Sequence, residues 1–306
     1  MSAREQESLY AVFTMDCVPP QSTRAVPGPS SWEDAQRSIE SYAEGLNSEG
    51  LRATFFIAPE ALKKLKGVAC SLRSAGMEVG VLCHPQLSGY QSYLGSYGYD
   101  RQREIVRLAR TAWQDAMGEQ PTSFRAGFFS ANDYTFQVLC MEGFMQGSCS
   151  LPGRIDPEQC SLWQKTCPFP HHADPLDRRI LGTMEFFEVP VTSEADAKEL
   201  LPAETFTPPH LRIEDPAINE HAARLMEKLL DHVAAERAAV KSNVFVTQNS
   251  VGWGGDADPH LERLRNLISL LRDLAERRGM ELMAATVGSL HDLAHERMPA
   301  DIEGIE

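Results

Sequence analysis

Hydrophobic runs long enough to cross a membrane are absent from the 306-residue sequence. A membrane-spanning helix needs ~20 consecutive apolar residues, and no stretch of the chain approaches that length. The N-terminal segment MSAREQESLYAVF also lacks the apolar core of a secretory signal peptide. We therefore expect a soluble, cytoplasmic protein that has no membrane partner.

Positive charge is in short supply as well. The chain has 29 Lys and Arg residues against 43 Asp and Glu residues, which gives a formal net charge of -14 at pH 7. A surface of this sign repels phosphate backbones. We therefore expect no nucleic-acid partner.

Paired cysteine motifs and phosphate-binding motifs are also missing. The seven cysteines are an odd number and form no C-x-x-C pair, which argues for reduced thiols and against a disulfide framework or a zinc ribbon. Neither G-x-x-x-x-G-K nor G-x-G-x-x-G occurs, so a nucleotide-binding loop is not indicated.

Short apolar runs of strand character alternate with segments of helical period. The first strand is predicted at Leu9–Met15, and a helix with Ser31 as its N-cap follows. This alternation predicts an α/β fold with a largely parallel sheet, forming one domain over residues 1–306. Residues 151–215 are rich in Pro, His and Asp. We predict long loops there, with one clear strand at Met184–Val191.

Polar residues end four of the apolar runs. In chain order they are Asp16 with Cys17, His84, Arg125, and Gln248 with Asn249. Because ligands gather at the carboxyl ends of parallel strands, these positions are candidate site residues. Each also has an ordinary structural alternative, such as a turn cap for Asp or Asn and a local ion pair for Arg.

Five segments carry recognisable motifs in a fixed order. They are Phe13–Cys17, the R-A-T-F-F run Arg52–Phe56, Glu78–Gly80 leading to His84 and Pro85, Phe124–Phe129, and the apolar strand Val244–Thr247 that ends in Gln248. Together they resemble the polysaccharide deacetylases of carbohydrate esterase family four, the NodB-homology group, over about residues 10–290. The resemblance implies an irregular (β/α) barrel with its site at the carboxyl ends of the strands.

The resemblance also implies roles for individual residues. In such enzymes an Asp is the general base and an Arg holds it, which assigns these roles to Asp16 and Arg125. A divalent metal, usually zinc, lowers the pKa of its bound water, and Cys17 and His84 are the candidate ligands. Gln248 stands in the position of the general-acid histidine, and an amide cannot serve as that acid at neutral pH. A leucine, residue 82, replaces one metal-binding histidine.

Other residues are candidates with two interpretations each. Candidates for substrate contact are Phe128, Phe129, Asn249 and Trp253. Trp253, in a Gly-rich run, either stacks on a sugar ring or covers the core. The pair His171 and His172, with Asp174, either completes a metal site by folding over it or forms a polar surface turn.

Two functions are consistent with these patterns. The first is hydrolysis of a non-peptide carbon–nitrogen bond, an N-acetyl amide on a sugar or related small molecule, with Asp16 as base. Cys17 beside His84 also permits a thiol nucleophile. The second is a catalytically degenerate relative that binds a ligand or regulates. The missing histidines at positions 82 and 248 favour the second function, and the retained Asp16, His84 and Arg125 favour the first.

Overall fold

Strands and helices alternate along the chain in the computed structural model, which describes residues 7–20, 26–195, 205–236, 240–254 and 258–297. The strands are β1 Ser8–Cys17, β2 Ala53–Ile57, β3 Glu78–Cys83, β4 Ser123–Ala126, β5 Gln146–Gly147, β6 Ile155–Asp156, β7 Ser161–Leu162, β8 His171–His172, β9 Phe187–Glu188, β10 Ser242–Gln248 and β11 Glu281–Ala285. The helices are α1 Trp32–Ser48, α2 Pro59–Ser74, α3 Tyr99–Met117, α4 Thr135–Met141, α5 Ile218–Glu236, α6 Pro259–Arg278 and α7 Val287–Arg297.

Nine of these strands form one sheet in the order β10-β1-β2-β3-β4-β5-β9-β8, with β11 paired to the first half of β1. Every pairing in it is parallel except that of β8 with β9. Strands β6 and β7 form a separate antiparallel pair. The predicted α/β architecture with a largely parallel sheet is therefore confirmed.

The chain after β9 brings the two ends of the sheet together. Val189 N donates to Gly147 O and Val191 N donates to Ser150 O, which continues the pairing beside β5. Thr192 N then donates to the carbonyl of Val244 in β10. Because one segment bridges the last parallel strands and the first, the sheet closes into an irregular (β/α) barrel, as predicted.

Side chains alternate between two cores along each strand, as the period of a strand requires. In β1, Ala11, Phe13 and Met15 pack in the layer between the sheet and the helices. Tyr10 and Val12 belong to a second cluster that fills the barrel. Asp16 lies an even number of residues after Tyr10 and Val12 on β1, so its side chain points to the same side and into the barrel.

The start of α1 and the buried face of α6 both follow from residue types in their sequences. Ser31 Oγ accepts a hydrogen bond from Asp34 N over 3.0 Å, so the predicted N-cap of α1 is confirmed. Helix α6 buries a stripe of apolar residues, Leu264, Leu267, Ile268, Leu271 and Leu274. Each such side chain contributes about 2 kcal/mol when it leaves water. In the part of the chain described, no helix is long and apolar enough to span a bilayer.

Helix α7 covers the amino end of the barrel. Val287 N donates to Thr54 Oγ1 over 2.9 Å, and Gly288 N donates to Glu78 Oε2 over 3.0 Å. Thr54 and Glu78 lie near the starts of β2 and β3. Since α7 closes this end, a ligand has access at the opposite end, where the strands terminate.

The region predicted as loops contains more regular structure than expected. Residues 151–195 include β6, β7, β8 and β9. The expected strand Met184–Val191 is reduced to β9, although backbone pairing continues to Val191. Strands of two residues carry no hydrophobic period that a sequence could reveal.

Candidate active site

Asp16 and Arg125 form an ion pair inside the barrel at its carboxyl end. Asp16 is the penultimate residue of β1, and Arg125 lies on β4. Arg125 Nη1 donates to Asp16 Oδ1 over 3.1 Å. The arginine side chain is fully buried, whereas that of Asp16 is 21% exposed. The acid is thus held by a fixed cation and still faces open space.

Further contacts hold Arg125 in one orientation. Its Nη2 donates to Thr14 Oγ1 over 3.0 Å and to Ser148 Oγ over 2.8 Å. Its guanidinium lies 4.6 Å from the ring centroid of Phe56 and 5.4 Å from that of Phe129. Such stacking and fork-like donation are contacts that lysine cannot reproduce. These contacts fix the Arg125 guanidinium, and with it the Asp16 carboxylate that accepts from it.

Burial and neighbouring charges act in opposite directions on the pKa of Asp16. Burial raises the pKa of its carboxyl group, while the charges of Arg125 and Arg212 oppose that rise and Glu214 adds to it. A carboxylate whose pKa lies above its ordinary value accepts a proton more readily at neutral pH. This environment suits the general base that the resemblance implies.

A cavity of about 70 Å³ opens beside this pair. Its lining residues are Asp16, Val18, Val26, Pro27, His84, Phe128, Phe129, Arg154, Arg212 and Gln248. A single water needs roughly 15 Å³ of such space, so the cavity has room for water together with a small acyl group. It brings together five of the predicted site residues: Asp16, His84, Phe128, Phe129 and Gln248.

Two arginines in the cavity wall were missed by the sequence analysis. Arg154 and Arg212 come from the region predicted as loops, where no motif distinguishes them. Arg154 Nη2 donates to Gln159 Oε1 over 2.7 Å, and Arg212 Nε donates to His210 Nε2 over 3.1 Å. Each is also paired with an acid, Arg154 with Asp156 over 3.2 Å and Arg212 with Glu214. The two arginines therefore bring charged donors to the cavity wall without an excess of positive charge.

His84 contributes a neutral imidazole to the cavity. Burial lowers the pKa of its ring to about 4. The ring lies edge-on to Phe128, with centroids 4.9 Å apart. A Cβ on Gly127 would clash with the His84 ring, so only glycine fits at that position. His84 Nδ1 is buried and has no hydrogen-bond partner among the described residues.

Phe128 and Phe129 adopt a backbone conformation that bulky residues rarely occupy. Their φ angles are 59° and 56°, in the left-handed region. Such conformations cost about 1–3 kcal/mol each and concentrate at ligand-binding sites. Both rings line the cavity. The predicted substrate-contact role of these two residues stays a prediction, now with geometry that suits it.

The residues at this cavity do not fit the zinc ion that the resemblance implies. Cys17 follows Asp16 on β1, so its side chain points to the opposite face of the sheet. It is fully buried in the core between the sheet and the helices. Burial, followed by the charge of Asp16, raises the pKa of its thiol well above the usual range. His84 is thus left without its predicted co-ligand, and Leu82 is apolar. The same burial argues against a Cys17 nucleophile, because the thiolate is the reactive form.

Two predicted substrate contacts lie in the protein interior instead. Asn249 is fully buried, and its side chain accepts from Val18 N and donates to Val18 O, each over 3.1 Å. Trp253 is also fully buried: its ring lies 4.7 Å from Tyr42, and its Nε1 donates to Thr247 Oγ1 over 3.3 Å. Asn249 therefore joins two strand ends, and Trp253 covers the core.

The two consecutive histidines lie in a strand, not in a loop over the cavity. His171 and His172 form β8, opposite Glu188 and Phe187 of β9. His171 is buried and its Nδ1 is 2.7 Å from Phe169 O. Neither histidine lines the cavity beside Asp16. The prediction that they complete a metal site there is not supported by their position.

Glu188, which the sequence analysis did not single out, is a buried acid close to this network. Its Oε1 accepts from Cys149 N and Ser150 N, each over 2.8 Å, and from Ser150 Oγ over 2.7 Å. Oε2 is buried and has no hydrogen-bond partner in the described part of the chain. Burial raises the pKa of Glu188 to about 7, against the opposing effect of those donors and of Arg125.

Comparison with known proteins rests on structure alone. No family model and no curated protein matches this sequence. A solved structure assigned as a polysaccharide deacetylase, from Mycobacterium smegmatis, is 15% identical, with a TM-score of 0.59 over 100% of this chain and 97% of that one. The chain has the polysaccharide-deacetylase fold. A second such structure, from Pseudomonas aeruginosa PAO1, is 12% identical, with a TM-score of 0.59 over 95% of this chain and 92% of that one.

A differently named protein shares the same deacetylase fold. PuuE allantoinase is 12% identical to this chain, with a TM-score of 0.60 over 97% of this chain and 96% of that one. By TM-score, the allantoinase and the M. smegmatis structure therefore resemble this chain to the same degree, 0.60 and 0.59. Since one fold hosts several activities, the function must be argued from the Asp16 cavity itself.

Proposed function

We propose that this protein hydrolyses the amide bond of a small N-acyl compound, an N-acetylated sugar or a related molecule, in the Asp16 cavity. The observation that carries the proposal is the pair formed by Asp16 and fully buried Arg125 at 3.1 Å, with Asp16 facing the cavity. The names of two of the structural neighbours, polysaccharide deacetylases, support an acyl-amide substrate.

The proposed reaction uses Asp16 first as a base and then as an acid. Asp16 takes a proton from a water molecule while the water oxygen bonds to the amide carbonyl carbon. The carbon–nitrogen bond then breaks, and protonated Asp16 returns the proton to the departing amine. The immediate products are a carboxylic acid and an amine, so the single water supplies all the atoms gained; the acid then ionises and its proton passes to the amine or to solvent. General base catalysis and general acid catalysis by a positioned side chain each typically raise the rate by 10²- to 10⁴-fold. Each factor lowers the activation free energy by about 3–5 kcal/mol.

Arginine donors in the cavity wall supply the electrostatic part of the proposal. Negative charge develops on the carbonyl oxygen as water adds, and Arg154 and Arg212 both line the space where that oxygen would lie. Fixed cations in a partly closed site stabilise such charge without reorganising. No step is assigned to Gln248, because a neutral amide cannot donate the required proton. The donor set gives no ground for a zinc-dependent step here.

Ligand binding without turnover is the second candidate. The observation that favours it is the replacement of two expected histidines by Leu82 and Gln248, together with the burial of Cys17 away from the cavity. A cavity lined by Arg154 and Arg212, with Asp16 held by Arg125, suits an acyl or anionic ligand whether or not that ligand is cleaved.

Acetate release from a panel of small N-acetyl compounds and N-acetylated sugar oligomers tests the hydrolase proposal. We expect Asp16→Asn to lower turnover by at least about 100-fold, while Asp115→Asn, an exposed site in α3, leaves it unchanged. Binding of the same compounds is followed by calorimetry. Saturable binding to wild-type protein with no acetate release would reject hydrolysis and support the binding function. Turnover that survives in Asp16→Asn would reject the assigned base.

A further inference from the structure

Three histidines converge at a place remote from the Asp16 cavity. His172 lies in β8, while His291 and His295 lie one turn apart on α7. One imidazole nitrogen of each ring lies within 4.8 Å of those of the other two. Ring centroids are 5.4 Å apart for His172 and His291, 5.3 Å for His172 and His295, and 4.6 Å for His291 and His295. We call these three residues the histidine cluster.

The histidine cluster lies at the amino end of the barrel. His172 pairs with Phe187, and Phe187 in turn pairs with Gln146, the first residue of β5. His291 contacts the same glutamine. Helix α7, which carries the other two rings, covers the starts of β2 and β3. The Asp16 cavity is formed where strands end, so the two sites are at opposite ends of the molecule.

Hydrogen bonds outside the cluster fix two of the rings with Nε2, the nitrogen that carries no proton, facing the other rings. His172 Nδ1 donates to Met184 O over 2.8 Å, and His291 Nδ1 donates to Gln146 Oε1 over 3.1 Å. These bonds leave Nε2 of each ring as the atom with a lone pair. Partners of this kind orient the histidines of metal centres.

The atoms that face the cluster are incompletely satisfied by the protein. His172 Nε2 is buried and has no hydrogen-bond partner among the described residues. His291 Nε2 and His295 Nε2 are 2.9 Å apart, so one must donate to the other. A buried polar atom without a partner is costly, and a cation at this point would satisfy all three nitrogens. For His295, ligation needs only a tautomeric shift of its proton to Nδ1.

An aromatic side chain packs against one ring of the cluster, and another ring is open to solvent. Phe187 stacks on His291 with a centroid distance of 5.0 Å and an interplanar angle of 6°. His295 is exposed, which leaves a route for solvent and for an entering ion.

We propose that His172, His291 and His295 bind one divalent transition-metal ion of the zinc class. Tetrahedral Zn–N bonds of about 2.0 Å place ligand nitrogens about 3.3 Å apart. The observed separations, 2.9 Å for one pair and at most 4.8 Å for the others, bracket that value. Small side-chain rotations thus complete the site, with water in the fourth position. Three imidazoles select zinc, nickel or copper over magnesium or calcium.

The ion would join α7 to β8. The metal would link strand β8 at 171–172 to helix α7 at 291–295, two elements that are far apart in the sequence. Because an ion that binds only the folded state stabilises it in proportion to its affinity, zinc should raise the unfolding temperature. This inference does not depend on the hydrolytic activity proposed for the Asp16 cavity.

Zinc titration of untagged, chelator-treated, reduced protein tests the site. We expect one equivalent of Zn²⁺ to bind by calorimetry and to raise the unfolding temperature, and Mg²⁺ to do neither. His295→Ala, at an exposed position, should weaken Zn²⁺ binding by about 100-fold or more while leaving the metal-free protein folded. His172→Gln should give the same loss. His232→Gln, a histidine on α5 outside the cluster, should bind Zn²⁺ like the wild type.

Two results would overturn the proposal. One is wild-type protein that binds no stoichiometric Zn²⁺. The other is binding of equal affinity in His295→Ala and His232→Gln, which would place the ion on other side chains. Co²⁺ substitution gives a check that is independent of stability, because a tetrahedral site has visible absorption bands of its own. Those bands should be absent from folded His295→Ala, as judged by circular dichroism.

Discussion

Arg125 donates to Asp16 over 3.1 Å although the two residues are 109 positions apart in the chain. The parallel pairing of β1 through β4 brings them to the same end of the barrel. Neither residue has a local sequence pattern that predicts this contact. The contact therefore forms only when the barrel has folded, and it tests the fold as well as the site.

Replacing Arg125 by lysine should damage both stability and the site. A lysine ammonium cannot donate to Asp16, Thr14 and Ser148 at once or stack on an aromatic ring, so buried acceptors lose their donor. We expect a loss of about 3 kcal/mol in the free energy of unfolding, measured in urea. Arg107→Lys, at an exposed position in α3, is the matched control and should change it by less than about 0.5 kcal/mol. A loss of equal size in both variants would contradict the account.

Glu188 should make the protein less stable as the pH rises through the weakly acidic range. Its pKa is about 7 in the folded protein and 4.5 as an ordinary value, so between these values the folded state holds a proton that the unfolded state has lost. The free energy of unfolding therefore falls between about pH 4.5 and pH 7, by an amount on the order of 3 kcal/mol.

Glu188→Gln isolates this effect from other titrating groups. Glutamine keeps an acceptor for Cys149 N and Ser150 N but does not titrate. The measurement is the free energy of unfolding against pH for both proteins. We expect the difference between them to favour the variant increasingly from about pH 4.5 and to level off once the pH exceeds about 7. Parallel curves over the whole range would show that Glu188 has an ordinary pKa.

Much of the fold could be predicted because its strands are continuous apolar runs that end at glycine or polar residues. The predicted strand Leu9–Met15 lies within the observed β1, Ser8–Cys17, and the predicted N-cap Ser31 precedes α1. Helix α7 was missed because its apolar residues are few, chiefly Val287, Leu290 and Ala294, and give only a weak helical period. Its role is set by contacts at the amino end of the barrel, which no local pattern encodes.

The site was predictable where it depends on strand ends and unpredictable where it depends on side-chain direction. Asp16 and Gln248 end parallel strands and face the cavity together. The residue after each, Cys17 or Asn249, is buried elsewhere, because successive strand residues face opposite ways. Arg154 and Arg212 come from a region without period, so only the folded chain reveals them.

Cys17 should be inert to thiol reagents in the native protein. Its side chain is fully buried and the pKa of its thiol is raised well above the usual range, whereas Cys70 is exposed. Brief treatment with a maleimide, followed by peptide mass spectrometry, should label Cys70 long before Cys17. Denatured protein should label at both positions and is the control. Rapid labelling of native Cys17 would reopen the metal and nucleophile hypotheses for that residue.

Asn249 should matter for stability and not for ligand affinity. Its side chain satisfies both Val18 N and Val18 O in the interior. Asn249→Ala leaves those two buried backbone groups without partners, which should cost about 2–4 kcal/mol.

The matched control for that substitution lies on β10, the strand that ends one residue before Asn249. Asn243 in β10 is also fully buried, yet neither polar atom of its side chain has a partner among the described residues. Asn243→Ala removes unsatisfied groups and should therefore cost less than Asn249→Ala, by about 2 kcal/mol. Urea unfolding measures both. If Asn249→Ala instead kept full stability and lost ligand affinity, Asn249 would be a substrate contact and the assigned link between β1 and β10 would be incorrect.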